Sequence, residues 1–242
     1  MKWSFLFLCI LFSLALPFPS AERAHAFHVP ERLEYQLLWN GIHAGTSTLS
    51  ISHKDGLFKI TSTAKSADFI SLFYEVDDRA ESICKNDSFI PVTYRLKLKE
   101  GKHRKDKEVQ FMMNGTKKAL YVDHLKKETR ELDLPERAMD PLASFYFLRT
   151  IPLEIGKSTY VKIFDSKKVW NVEVQVLRKE KINTWLGTYD TILIKPLMES
   201  EGIFMKKGDI YIWLSDDESR IPVMLKTQVS VGSVKAVLRK LN

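Results

Sequence analysis

Apolar and polar positions alternate with a period of two through most of this chain. Leu33, Tyr35, Leu37 and Trp39 fall on one face of a strand. Asn40-Gly41 follows, and its tolerance of positive φ suits a tight hairpin turn. The return strand, Ala44 to Ser52, is rich in Ser and Thr and fits an outer or cavity-lining face better than a packed core. Asp55-Gly56 predicts the next turn, and Leu57 to Lys65 a third strand. Val92, Tyr94, Leu96 and Leu98 alternate with Thr93, Arg95, Lys97 and Lys99, a one-sided strand with its basic face in water. Further strands are predicted over Arg79–Cys84, Glu108–Met113, Lys118–Val122, Ile155–Phe164, Val169–Arg178, Leu186–Lys195, Asp209–Leu214 and Ile221–Val237. The densest β signal, Gly202 to Val237, reads as two long strands around a polar turn, the hairpin on which the sheet is organised.

The period changes twice. Ser66-Ala67-Asp68 can cap a short helix carrying Phe69, Ile70, Leu72 and Phe73. Asp140-Pro141 predicts a second one, with Asp as N-cap and Pro at the first helical position. The following Leu142 to Leu148 is apolar nearly all round, so this helix must be buried on most sides. A sheet of about ten or more strands cannot lie flat; it curls, splits or closes. The predicted fold is all-β, mainly antiparallel: a strongly curved half-barrel or barrel-like sheet with both apolar helices packed in its concavity. Half-barrel and closed barrel share the same alternation. No linker or repeat interrupts residues 27–242, which read as one domain. Ile210-Tyr211-Ile212-Trp213-Leu214 is apolar on both faces and should be covered on both.

The N-terminus predicts export. Lys2 precedes an apolar run from Trp3 to Leu16, then Pro17, Pro19 and the small-x-small pattern Ala24-His25-Ala26. That run is shorter than a membrane span needs. Residues 1–26 therefore read as a cleaved signal peptide, placing the protein in the periplasm or cell envelope, with secretion the other outcome. No later segment predicts a transmembrane span. Cleavage removes Cys9 and leaves Cys84 without an intramolecular partner, and a buried small hydrophobe is the expected role.

The formal net charge is +7. The cations are spread as lysine pairs, except in the cluster Lys102-His103-Arg104-Lys105-Asp106-Lys107. Its place between strands predicts a solvated hairpin loop; the sharper reading is a patch for anionic lipid headgroups. No reader motif points to nucleic acid. No catalytic motif, phosphate loop or metal-ligand spacing is present, so no enzyme activity, metal or cofactor is expected. Asp216-Asp217-Glu218, followed by Arg220, could hold a cation or work as an acid–base pair, but Ser-Asp-Asp-Glu-Ser is ordinary turn chemistry. Asn86-Asp87-Ser88 and Asn114-Gly115-Thr116 match the glycosylation pattern and are read as turns. Among the aromatic residues, Trp39, Phe69, Phe73, Phe145, Tyr211 and Trp213 are the candidates to line a hydrophobic ligand site.

Several stretches resemble one family. Trp39-Asn40-Gly41-Ile42-His43-Ala44-Gly45, Asp140-Pro141-Leu142, Gly187-Thr188-Tyr189, Ile212 to Asp217, Arg220 to Val223 and Val231 to Val234 occur in order along the chain. Together they resemble the exported bacterial family known as domain of unknown function 3108. The resemblance implies an envelope protein, mostly antiparallel β, and carries no catalytic residues to transfer. The architecture is also similar to the lipoprotein-carrier half-barrels, which hold acyl chains under short helices.

The leading expectation is a non-enzymatic envelope protein whose curved sheet shelters a lipid or acyl chain. The alternative is a structural or protein-interaction module of the envelope with a self-filled core. A third reading is a hydrolase assembled from residues far apart in sequence.

Overall fold

The computed structural model describes residues 27–112, 118–134, 138–164, 168–197, 209–228 and 232–242. The predicted signal peptide and the Asn114-Gly115 turn lie outside them. The described chain is built from β1 (Glu31–Trp39), β2 (Ile42–Lys54), β3 (Leu57–Ser66), α1 (Asp68–Ser71), β4 (Asp77–Lys85), β5 (Pro91–Glu100) and β6 (His103–Phe111). It continues with β7 (Lys118–Asp123), β8 (Glu128–Asp133), α2 (Pro141–Leu148), β9 (Ser158–Phe164), β10 (Val169–Thr184) and β11 (Gly187–Leu197). Finally come β12 (Ile210–Ser215), β13 (Pro222–Gln228) and β14 (Ser233–Leu241).

The strands form one antiparallel sheet in the order β8-β7-β6-β5-β4-β3-β2-β1-β14-β13-β12-β11-β10-β9. The N- and C-terminal strands β1 and β14 pair at its middle. Register shifts at Glu34/Tyr35, Leu37/Leu38, Val176/Arg178 and Trp213/Leu214 supply the bends that such a sheet needs to curl. It curls far enough for remote strands to meet. Phe111 of β6 and Phe164 of edge strand β9 pack edge to face, 6.0 Å between centroids. The sheet remains unclosed. The edge of β9 is instead covered by the segment before α2, where Met139 N–H donates to Lys162 O (2.9 Å) and Phe164 N–H to Met139 O (2.7 Å).

The turns follow from local chemistry. Asn40-Gly41 and Asp55-Gly56 all take positive φ, as their sequence predicts. Gly45 answers a different need: a Cβ there would sit 2.1 Å from Lys65 O, so only glycine lets β2 approach β3 this closely.

α2 lies inside the curve, packed against β3, β4 and β9. Its Ala143 and Tyr146 join Ile51, Ile60, Leu33 and Cys84 in one core cluster; its Leu148 joins Val172, Val174, Ile192, Ile194, Ile212 and Leu214 in another. The helix that reads as apolar all round is therefore clasped by two parts of the same sheet.

α1 departs from expectation. It buries none of its residues, and Phe69, Leu72, Phe73 and Tyr74 are all exposed, Phe73 at 88%. It is a single turn outside the concavity. Its N-cap is Ala67, whose methyl group offers no acceptor, and Ser66 Oγ is engaged instead with Ser71 Oγ and the backbone of Val76. Two further expectations are corrected. Ile221–Val237 spans two strands, β13 and β14, paired antiparallel, and not one. The basic run at 102–107 is a loop only at its start: β6 begins at His103, and Lys107 is buried.

Candidate functional site

Residues directly opposite across an antiparallel ladder share a face, so the register defines rows running across the sheet. One row runs Ile51, Ile60, Ser82, Tyr94, Val109, Tyr121. These side chains are buried, and Ser82 Oγ donates to Asp140 Oδ2 of the α2 N-cap at 2.6 Å, which places the row on the concave face beneath the helix. The next row toward the β1–β2 turn runs Leu49, Ser62, Ala80, Leu96, Lys107, Asp123, and the one after it includes Ser47, Ala64 and Asp78. In these upper rows Ser47, Ser62, Ala64, Ala80 and Leu96 are only half-buried. The lower concavity is filled by α2, and the upper half is lined by small side chains and leucines. The Ser/Thr-rich β2 thus contributes Ser47 to the lining, as its composition suggests.

α2 is fixed at both ends by buried polar groups. At its start, Asp140 Oδ1 accepts from the N–H groups of Leu142 and Ala143 at 2.9 and 3.0 Å. Complete burial pushes the Asp140 carboxyl up to about 6, although Ser82 and the helix N–H groups pull the other way. At its end, Arg149 donates to both oxygens of Glu31 (2.7 and 2.8 Å) and to Ser219 O (2.9 Å), and its guanidinium lies over the Phe27 ring at 4.4 Å. Tyr146 also donates to Glu31 Oε1, at 3.2 Å. Burial opposes the Arg149 charge, but the bonds to Glu31 outweigh it and hold the guanidinium above its ordinary pKa. Neither Arg149 nor Glu31 is conspicuous in the sequence. The available signal is an arginine directly after a nearly all-apolar helix, where a buried guanidinium needs an acid as partner.

The upper rows end in a cationic cavity of about 410 Å³ at β6–β8, lined among others by Arg104, Lys107, Tyr121, Asp123, Lys126 and Arg130. Lys107 Nζ lies 5.4 Å from the Tyr121 ring centre, and Tyr121 donates to Asp123 Oδ2 at 3.3 Å. Burial and the Asp123 charge push the Tyr121 hydroxyl up to about 12. For Asp123, burial acts upward, but the Lys126 N–H bond and the charge of Lys107 outweigh it and hold the carboxyl below its ordinary pKa. Arg104 and Lys107 belong to the basic cluster that the sequence singles out, whereas Tyr121, Asp123 and Arg130 join them only through strand pairing, which no spacing in the sequence reveals.

The predicted ligand-lining residues do not form one pocket. Trp39 ends β1 on the same face as Leu33 and Tyr35, at the upper rim and half-buried. Phe145 is half-buried on α2 and packs edge to face on Tyr146. Ile212 and Leu214 share the cluster of Leu148, so Tyr211 and Trp213 project from the opposite face of β12. There Trp213 Nε1 donates to Glu180 at 2.6 Å, and Lys195 lies over Tyr211. Both faces of this strand are covered by the chain's own residues. Phe69 and Phe73 stand outside the concavity altogether.

The acidic turn is structural. Asp217 Oδ1 accepts from Ser215 Oγ and Arg220 N–H, and Asp216 pairs with Lys179 at 2.6 Å. Among the described residues no group of His, Cys, Asp and Glu could hold a metal ion, and no helix is long and apolar enough to cross a membrane. Cys84 is buried, and burial with the Asp140 charge pushes its thiol far up, as suits a core residue.

No match was found among curated proteins. Of the solved structures similar to this one, the β-barrel-like protein of domain of unknown function DUF1849 from Brucella abortus has a TM-score of 0.58 at 14% identity, covering 89% of this chain and 98% of its own. A Bacteroides fragilis protein described as exported, with a YmcC-like fold, scores 0.35 at 8% identity over 89% of this chain and 97% of its own. A Parabacteroides distasonis protein described as a lipoprotein scores 0.34 at 12% identity over 90% and 98%. The Brucella protein shares the fold. The family described as "Protein of unknown function (DUF3108)" matches residues 34–239, nearly the whole described fold, and the chain belongs to it.

Proposed function

We propose that this is an exported, non-catalytic envelope protein that holds an amphiphile, a lipid or acyl chain, in the upper half of its concavity. The observation that carries this reading is the row Leu49, Ser62, Ala80, Leu96, Lys107, Asp123. It passes from small and apolar side chains into the cationic cavity of β6–β8 without leaving the concave face. An alkyl chain lying on Ala64, Ala80 and Leu96 gains about 0.8 kcal/mol per buried CH₂. Its anionic head then meets Arg104 and Lys126, which line the cavity. α2 supplies the floor, with Leu142 packed against the same cluster as Ala80 and Leu96.

Titration with a fluorescent fatty acid tests the reading. The wild-type chain binds it saturably, and Ala80→Trp, which fills the row, abolishes binding while the fold is retained by circular dichroism. Absence of saturable binding, or equal binding by Ala80→Trp, contradicts it.

A further inference from the structure

The rim of the half-barrel that carries α1 is chemically unlike the rest of the surface. Following the strands upward, the β1–β2 turn, the α1 loop, the β5–β6 turn and the β7–β8 turn all emerge at this end. They are tied to one another by backbone bonds: Ala67 N–H to Ala44 O at 2.8 Å, Gly101 N–H to Glu75 O at 2.7 Å, and His124 N–H to Asp106 O at 2.8 Å. The Tyr74 ring lies so close to Gly101 that a Cβ there would sit 2.7 Å from it. These turns therefore form one continuous surface.

Large apolar side chains crowd that surface. Leu72 is 82% and Phe73 88% exposed, with Phe69, Tyr74, Ile42 and Leu125 about half exposed. An apolar patch of this kind on one loop cluster marks an interaction site. Cations surround it: Lys65, Lys102, Arg104, Lys126 and Lys127 are all exposed on the same turns. Among the acids beside it, Glu75 is already paired with Lys99 at 2.6 Å, and Asp68 and Asp77 are exposed. Apolar side chains on a protruding loop inside a ring of lysine and arginine fit one partner chemistry best. A bilayer surface bearing anionic lipids accepts the first into its acyl boundary and the second among its phosphates.

We propose that this rim docks on an anionic lipid bilayer, with Leu72 and Phe73 entering the headgroup–acyl boundary and Lys102, Arg104, Lys126 and Lys127 contacting phosphates. The orientation places the open upper concavity toward the membrane. Arg104 and Lys126 also line the cavity of the proposed ligand site, whereas Leu72, Phe73, Lys102 and Lys127 do not, so the docking surface is tested through the latter four.

Flotation with vesicles tests this, using the chain beginning at Phe27, which carries every described element. It floats with vesicles of phosphatidylcholine plus phosphatidylglycerol, less with phosphatidylcholine alone, and less as salt is raised. Leu72→Ser/Phe73→Ser lowers vesicle affinity by about tenfold or more, since two exposed apolar anchors are lost. Lys102→Ser/Lys127→Ser removes part of the salt dependence. Both pairs replace exposed side chains, so thermal unfolding is unchanged. Three results overturn the proposal: no flotation with phosphatidylglycerol vesicles, equal flotation of Leu72→Ser/Phe73→Ser, or conversion of a wild-type oligomer to monomer by that variant, which would assign the patch to a second copy of the chain.

Discussion

Arg149 donates to both carboxylate oxygens of Glu31 across 118 residues of chain, fastening the end of α2 to the first residue of β1. The Arg149 side chain is 0% and that of Glu31 6% exposed. Removing one partner leaves the other charged and buried, which typically costs about 3–5 kcal/mol. Arg149→Met is expected to lower stability by that order in urea unfolding. The double variant Glu31→Gln/Arg149→Met should lose less than Arg149→Met alone, because no unpaired charge remains. Equal losses would show that Glu31 is not the partner that matters.

The other end of α2 makes stability depend on pH. The Asp140 carboxyl titrates at about 6 in the fold and at 3.8 ordinarily. The fold therefore binds this proton more tightly than the unfolded chain. The contribution is fully present below the lower value and is lost as pH rises through the upper one, by about 3 kcal/mol in all. Asp140→Asn retains a capping oxygen and removes the charge, so its urea midpoint should vary less with pH across this window than that of wild type. An unchanged pH slope would exclude Asp140 as its source.

Cys84 should be chemically silent in the native protein. It is buried and its thiol is pushed far above the ordinary range, so the reactive thiolate is scarce. Iodoacetamide is expected to label it only after unfolding, at a rate set by denaturant. Labelling under native conditions would mean that the core around β4 opens.

Much of the fold is legible in the sequence because local chemistry and tertiary structure agree. Asp140-Pro141 caps and starts α2, Asn40-Gly41 and Asp55-Gly56 turn the hairpins, and the alternation of Leu33, Tyr35, Leu37 and Trp39 marks the concave face of β1. β8 and the start of β6 escape because edge position removes the demand for an apolar face: Glu128–Asp133 is polar on nearly every position, yet its backbone pairs fully with β7. α1 misleads for the opposite reason. Phe69 and Phe73 look like core in isolation, and only the three-dimensional arrangement reveals that Phe73 is left exposed by the described residues. The site is less legible than the fold. Ser62, Ala80, Leu96 and Lys107 are neighbours only through strand register, and no spacing in the sequence joins them.

The central claim, that the upper concavity holds an amphiphile, meets its most direct test in native mass spectrometry of gently purified protein, paired with an organic extract of the same sample. The predicted result is a mass above that of the polypeptide alone, with the difference recovered as lipid or fatty acid in the extract and absent from Ala80→Trp. A clean mass for the chain alone, with an extract free of lipid, would contradict the account.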